Sequence, residues 1–152
     1  MSETLRLARL YFVILLIVAG GRWVMSLQEV PYAKGTDKLS IVIVTLLSSI
    51  FYGAFCRRWR GLKILQAVTL GATLGLTAQI VIFVSTLLSY LLGLGTYYNN
   101  PVALLGDTNA VAAVPLGSAL AFRAVGLVVN TILNGIAGAL GWAMGALLPE
   151  SR

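Results

Sequence analysis

Four basic residues, Arg57, Arg58, Arg60 and Lys63, lie between two long stretches that carry no charge, residues 39–56 and 64–98. A hydrocarbon core of ~30 Å is crossed by about 20 apolar helical residues, and each stretch supplies that length. Two further apolar stretches, residues 10–21 with their flanks and 124–148, bring the number to four. The expected fold is all-α: an integral, multi-pass membrane protein built as a four-helix bundle.

Composition points the same way. The chain is 59% apolar and only 11% charged, against roughly 25% charged residues in ordinary soluble domains. Four spans with short connections use up 152 residues, so residues 1–152 are expected to be one transmembrane domain. The net charge of +6 sits beside the spans. It therefore reads as a topology signal. Nucleic acid is not an expected partner, because no soluble surface is left to carry a groove-reading element.

The lone Cys56 rules out an intramolecular disulfide. The chain has no histidine, which removes the usual haem and zinc ligand and the commonest general base. Serines are plentiful, but no histidine or intramembrane acid is there to activate one. The glycines form no phosphate-cradling loop. No catalytic residue, metal or cofactor is expected. Arg6 and Arg9 precede the first apolar run as in a signal peptide, yet Gly21-Arg22-Trp23 interrupts the position of a cleavage site, so a retained helix is expected.

The spans are placed at residues 4–26, 37–56, 63–95 and 122–148, with Asp37 as the expected cap of the second. The 57–63 connection holds four basic residues and the N-terminal tail holds Arg6 and Arg9, whereas the 95–121 connection holds no basic residue and contains Asp107. The positive-inside rule then puts both termini and the basic knot in the cytoplasm, in the inner (cell) membrane. Trp23, Trp59 and Trp142, with Tyr97 and Tyr98, fall mostly near span ends as an aromatic belt does. The third span, at about 46 Å, exceeds the hydrocarbon thickness and must tilt, bend or project. Residues 110–122, apolar around Pro115, predict a short outer segment before the fourth span, folded over the bundle mouth.

Uncharged polar residues mark the helix faces. Thr45, Ser48, Ser49, Tyr52, Gly53 and Cys56 share one face of the second span. Gly71 and Gly75 on the third span, and Gly138, Gly141 and Gly145 on the fourth, predict close helix packing. Counted at 1.5 Å per residue from the cytoplasmic ends, Gln79 lies at about 24 Å, Asn134 at about 21 Å and Asn130 at about 27 Å. These amides predict an intramembrane polar layer, either an interhelical clamp or the lining of a path. Arg22 and Arg123 fall near the outer edge, where Tyr97 and Asn99 are placed to close over them. That set predicts a site for an anionic group, since guanidinium binds phosphate or carboxylate through paired hydrogen bonds. Arg57, Arg58, Arg60 and Lys63 are expected to contact anionic lipid on the cytoplasmic face.

The expected function is non-enzymatic, as a subunit of a larger membrane complex or a homo-oligomeric assembly component. Two alternatives stand beside it: a small transporter or channel with an amide-lined path between the third and fourth spans, and a protein that handles lipid through an anionic headgroup. Expected partners are membrane lipids, anionic lipid among them, and further copies or a larger complex.

Overall fold

The computed structural model describes residues 6–148, Thr36 and Asp37 by backbone alone, and contains no strand among them. Four long helices carry the chain: α1 (Arg9–Leu27), α3 (Ile41–Arg60), α4 (Ile64–Leu91) and α6 (Leu116–Met144). Two short ones lie in the connections, α2 (Tyr32–Lys38) and α5 (Pro101–Leu105). The four long helices, α6 counted with the 3-10 turn that ends at Leu147, are long and apolar enough to cross a membrane.

Local chemistry sets the boundaries, and several differ from the expected ones. Residue 4, the expected start of the first span, lies outside the described residues. Asp37 does not cap the second span, because a separate helix begins after Pro31 and absorbs it. Ser40 takes that place, its Oγ accepting from the Ile43 N–H at 3.4 Å. The helix then runs on through the basic knot to Arg60. Gly61 ends it in the left-handed conformation, and the Leu62 N–H reaches back to Cys56 O at 2.9 Å. In the same way Gly93 stops α4, with the Leu94 N–H on Ser89 O, so the third span ends at Leu91 and not at residue 95.

The expected outer segment is divided differently. Residues 116–122 form the first turns of α6, which starts directly after Pro115, where the fixed φ and missing N–H of proline suit a helix entry. The short helix of this connection is α5, capped by Asn100 on the Val102 N–H with Pro101 behind it. Val114, Leu104 and Ala119 bury one another against Tyr90, fastening the connection to the helix ends.

Helices α3, α4 and α6 make the closest approach. A β-carbon on Gly53 would overlap the Gly138 carbonyl oxygen, one on Gly71 the Asn134 carbonyl, and one on Gly141 the Ile50 carbonyl. Gly138 and Gly145 face the Ala67 and Ala54 carbonyls in the same manner, and Gly75 meets the Asn134 side chain and the Asn130 carbonyl. Backbones this near gain many small dispersion contacts at once. Helix α1 is held by larger side chains. Buried Tyr11 and Leu15 enter the core, and the Tyr11 hydroxyl donates to Leu74 O at 3.1 Å and lies 3.0 Å from Thr45 Oγ1. The outward faces remain apolar, with Ile17 67% exposed and Leu65 71%.

Candidate functional site

The two ends of the helix cluster differ in chemistry. At one end lies the basic 57–63 connection. At the other, the 92–100 connection is fastened to the end of α1. The Tyr97 backbone N–H donates to Ser26 Oγ at 2.8 Å. Its hydroxyl donates to Val30 O at 2.7 Å, and the Tyr98 hydroxyl to Ala19 O at 2.9 Å. Both tyrosines are buried as a result. Burial pushes the Tyr98 hydroxyl above its ordinary value, outweighing the pull of Arg22.

Under this tyrosine roof the two arginines meet one cavity. Arg22, on the last turns of α1, is buried. Its guanidinium faces the rings of Tyr97, Tyr98 and Tyr32 at 5.3, 5.7 and 5.9 Å from their centroids. These are cation–π distances. One amino group donates to Leu39 O at 2.7 Å. Arg123, on the second turn of α6, donates through Nε to Thr86 Oγ1 at 3.0 Å and through its amino groups to Tyr98 O at 2.8 Å and Ala103 O at 3.4 Å. A guanidinium has five N–H donors. Among the described residues these hydrogen bonds leave Arg22 with donors to spare and Arg123 with one on each amino group. Both arginines line a cavity of about 180 Å³ together with Tyr32, Tyr97, Tyr98, Ile82 and the start of α3. No carboxylate of a described side chain lies in that lining.

The cavity thus brings together Arg22, Arg123 and Tyr97 of the predicted anionic site. Asn99 is not part of it. Its Oδ1 accepts from the Thr96 N–H at 2.8 Å and its Nδ2 donates to Leu94 O at 2.9 Å, which ties it into its own turn. It lines a separate, larger cleft of about 570 Å³ beside Tyr90, Val111 and Val114. Tyr32 and Tyr97 form the wall common to both spaces. Tyr32 and Thr86 were not singled out from the sequence. The crowding of tyrosines at positions 32, 97 and 98 was a usable signal for the first, but nothing local ties Thr86 to an arginine thirty-seven residues on.

The predicted amide layer is split. Asn134 is buried, its Oδ1 2.7 Å from the Ser49 hydroxyl and its Nδ2 donating to Asn130 O at 2.8 Å. Asn130 Nδ2 returns to Gly126 O of its own helix at 2.9 Å. Gln79 does not pair with Asn134. It is 6% exposed, and its amide makes no hydrogen bond among the described residues. Both Gln79 Oε1 and Asn130 Nδ2 lie against Gly126, within 3.6 and 3.9 Å of where its β-carbon would be.

At the basic end Arg57 is turned inward. Its guanidinium stacks on Trp142 at 4.1 Å from the ring centroid and donates to Trp142 O at 3.4 Å, at the C-terminus of α6 where carbonyls want a cation. Trp142 Nε1 in turn donates to Leu62 O at 2.7 Å. Arg57 therefore fastens α6 to α3, while Arg60 and Lys63 are exposed. Among the described residues no group of acids, cysteines and histidines is placed to hold a metal.

Compared with known proteins, the chain matches no family model, no curated protein and no solved structure.

Proposed function

We propose that the chain is a four-span protein of the inner membrane, with both termini cytoplasmic, that holds an anionic group at its outer end between Arg22 and Arg123. The reading is non-catalytic. Its orientation rests on the basic 57–63 connection against the 95–121 connection, which has no lysine or arginine. One observation carries the ligand: two guanidiniums share one cavity whose described lining holds no carboxylate. Like charges held together in a site of low dielectric repel far more than in water. An anion between them reverses the sign of that interaction and meets donors left over among the described residues. Membership in a larger assembly is compatible with this role and would use the exposed apolar faces.

The test is thermal unfolding in detergent, with and without inorganic phosphate, after exchange to strip bound lipid. Phosphate should raise the unfolding temperature of the wild type, because a ligand of the native state alone stabilises it by mass action. Arg123→Lys should lose most of that rise, since lysine offers a point charge without the planar fork. A wild type indifferent to phosphate, sulfate and phosphonate alike removes the reading.

A further inference from the structure

We infer that the anion is the phosphate of an anionic phospholipid, admitted from the side between α3 and α6. This rests on the anion-holding reading above and adds the ligand and its route. The loop end of the cavity is closed: Tyr97 and Tyr98 are 4% and 1% exposed, and their hydroxyls are tied to Val30 O and Ala19 O. The side is not closed. Ile41 and Val42 of α3 line the cavity together with Arg123 of α6, and Val42 is 45% exposed. Leu46, one helical turn further along the same face, is 38% exposed.

The seam between α3 and α6 explains the opening. Its glycine contacts join Gly53 to Gly138, Ile50 to Gly141 and Ala54 to Gly145, and Ser49 meets Asn134 above them. All of these lie towards the basic end. Beyond them the two helices face each other across the cavity, with Arg123 bound instead to Thr86, Tyr98 and Ala103. In the membrane reading, Val42 and Leu46 face the acyl chains of the outer leaflet, just below its phosphates. A space of about 180 Å³ is smaller than the roughly 300–1,000 Å³ of sites that enclose a whole drug-sized molecule. It suits a headgroup whose chains stay outside, along α3.

The experiment places the wild type in nanodiscs of phosphatidylglycerol and phosphatidylcholine mixed in equal parts, and reads retained lipid by native mass spectrometry. The wild type should retain phosphatidylglycerol over phosphatidylcholine by about tenfold, the scale of one lost charge-assisted contact. Arg22→Lys and Arg123→Lys should bring that ratio towards one. Leu46→Trp, at an exposed position one turn along the same face and outside the cavity lining, narrows the side opening through which the chains must lead out. It should lower phosphatidylglycerol retention while the rise in unfolding temperature with inorganic phosphate persists. Equal retention of the two lipids by the wild type overturns the lipid assignment. If phosphate still stabilises the protein in that case, the anion site stands with a soluble ligand, and if phosphate fails as well, both readings fall. A preference unchanged in both arginine variants, with native circular dichroism, belongs to the basic end and also overturns the assignment. Unchanged retention in Leu46→Trp overturns the lateral route.

Discussion

Arg123 and Tyr98 are joined by a 2.8 Å hydrogen bond from the guanidinium to the tyrosine carbonyl, while the ring of the same tyrosine faces Arg22 at 5.7 Å. One residue of the 92–100 connection therefore touches both cations, one through its backbone and one through its ring. The arrangement fixes the depth of each guanidinium and leaves the space between them open.

Tyr98 carries a pH signature. It lies between α4 and α5, and burial raises its hydroxyl above the ordinary value of 10.0. A raised native value means that the native state holds the proton more tightly. The stabilisation is present in full below the ordinary value and is lost as pH rises through and above it. Unfolding free energy, followed from about pH 8 to about pH 11 around the ordinary tyrosine value, should fall more steeply in wild type than in Tyr98→Phe. At neutral pH the variant should be weaker by about 1 kcal/mol for the bond to Ala19 O. Parallel curves for the two proteins would show that Tyr98 is not sequestered.

The amides on the long apolar helices should respond unequally. Asn134 is engaged by Ser49 and by Asn130 O, so Asn134→Leu should cost about 0.6–1.7 kcal/mol, the range of intramembrane hydrogen bonds. The Gln79 amide is buried with no hydrogen bond among the described residues, and an unpaired amide away from water is itself unfavourable. Gln79→Met should be neutral or stabilising in the same denaturant titration. Equal losses in both variants would mean that Gln79 has a partner.

Close packing gives the third expectation. A side chain at Gly141 would run into the Ile50 carbonyl, so Gly141→Leu should destabilise by about 1–3 kcal/mol or more, as overpacking does. Leu133 is 48% exposed, and Leu133→Phe should be mild. Indistinguishable unfolding temperatures for the two variants would dismiss the seam.

Topology is open to cysteine labelling in a Cys56→Ala background. Thr108→Cys and Arg60→Cys both fall on exposed positions of opposite ends. A membrane-impermeant maleimide added to intact cells should modify the first alone. Modification of both, or of Arg60→Cys alone, contradicts the orientation.

Much of this was legible in the sequence because helices long and apolar enough to cross a membrane follow a simple grammar. Long charge-free runs marked three of the four long helices, a shorter apolar run with its flanks marked the first, and the spacing of Gly71, Gly75, Gly138 and Gly141 marked the faces that lie against other backbones. Boundaries were less legible. A cap is a local competition, and Ser40 wins it from Asp37 because Pro31 starts a helix that a hydropathy window does not register. Partners were least legible of all. Whether Arg57 turns to lipid or to Trp142, and whether Asn134 meets Gln79 or Ser49, depends on helix rotation, which periodicity leaves free within a turn. Arg22 and Arg123 could be placed at one depth by counting residues, but Thr86 and Tyr32 enter only through the packing.

In the proposed site Arg22 and Arg123 act on one anion. A double-mutant cycle measures this directly, by calorimetric titration of inorganic phosphate into wild type, Arg22→Gln, Arg123→Gln and the double variant in detergent, each checked for native circular dichroism. If one phosphate bridges both guanidiniums, each single change should weaken binding by about tenfold or more, and the double change should add little, since neighbouring groups sharing a partner are not additive. Losses that multiply in the double variant would mean two independent contacts, and binding unchanged in either single variant would contradict a site between Arg22 and Arg123.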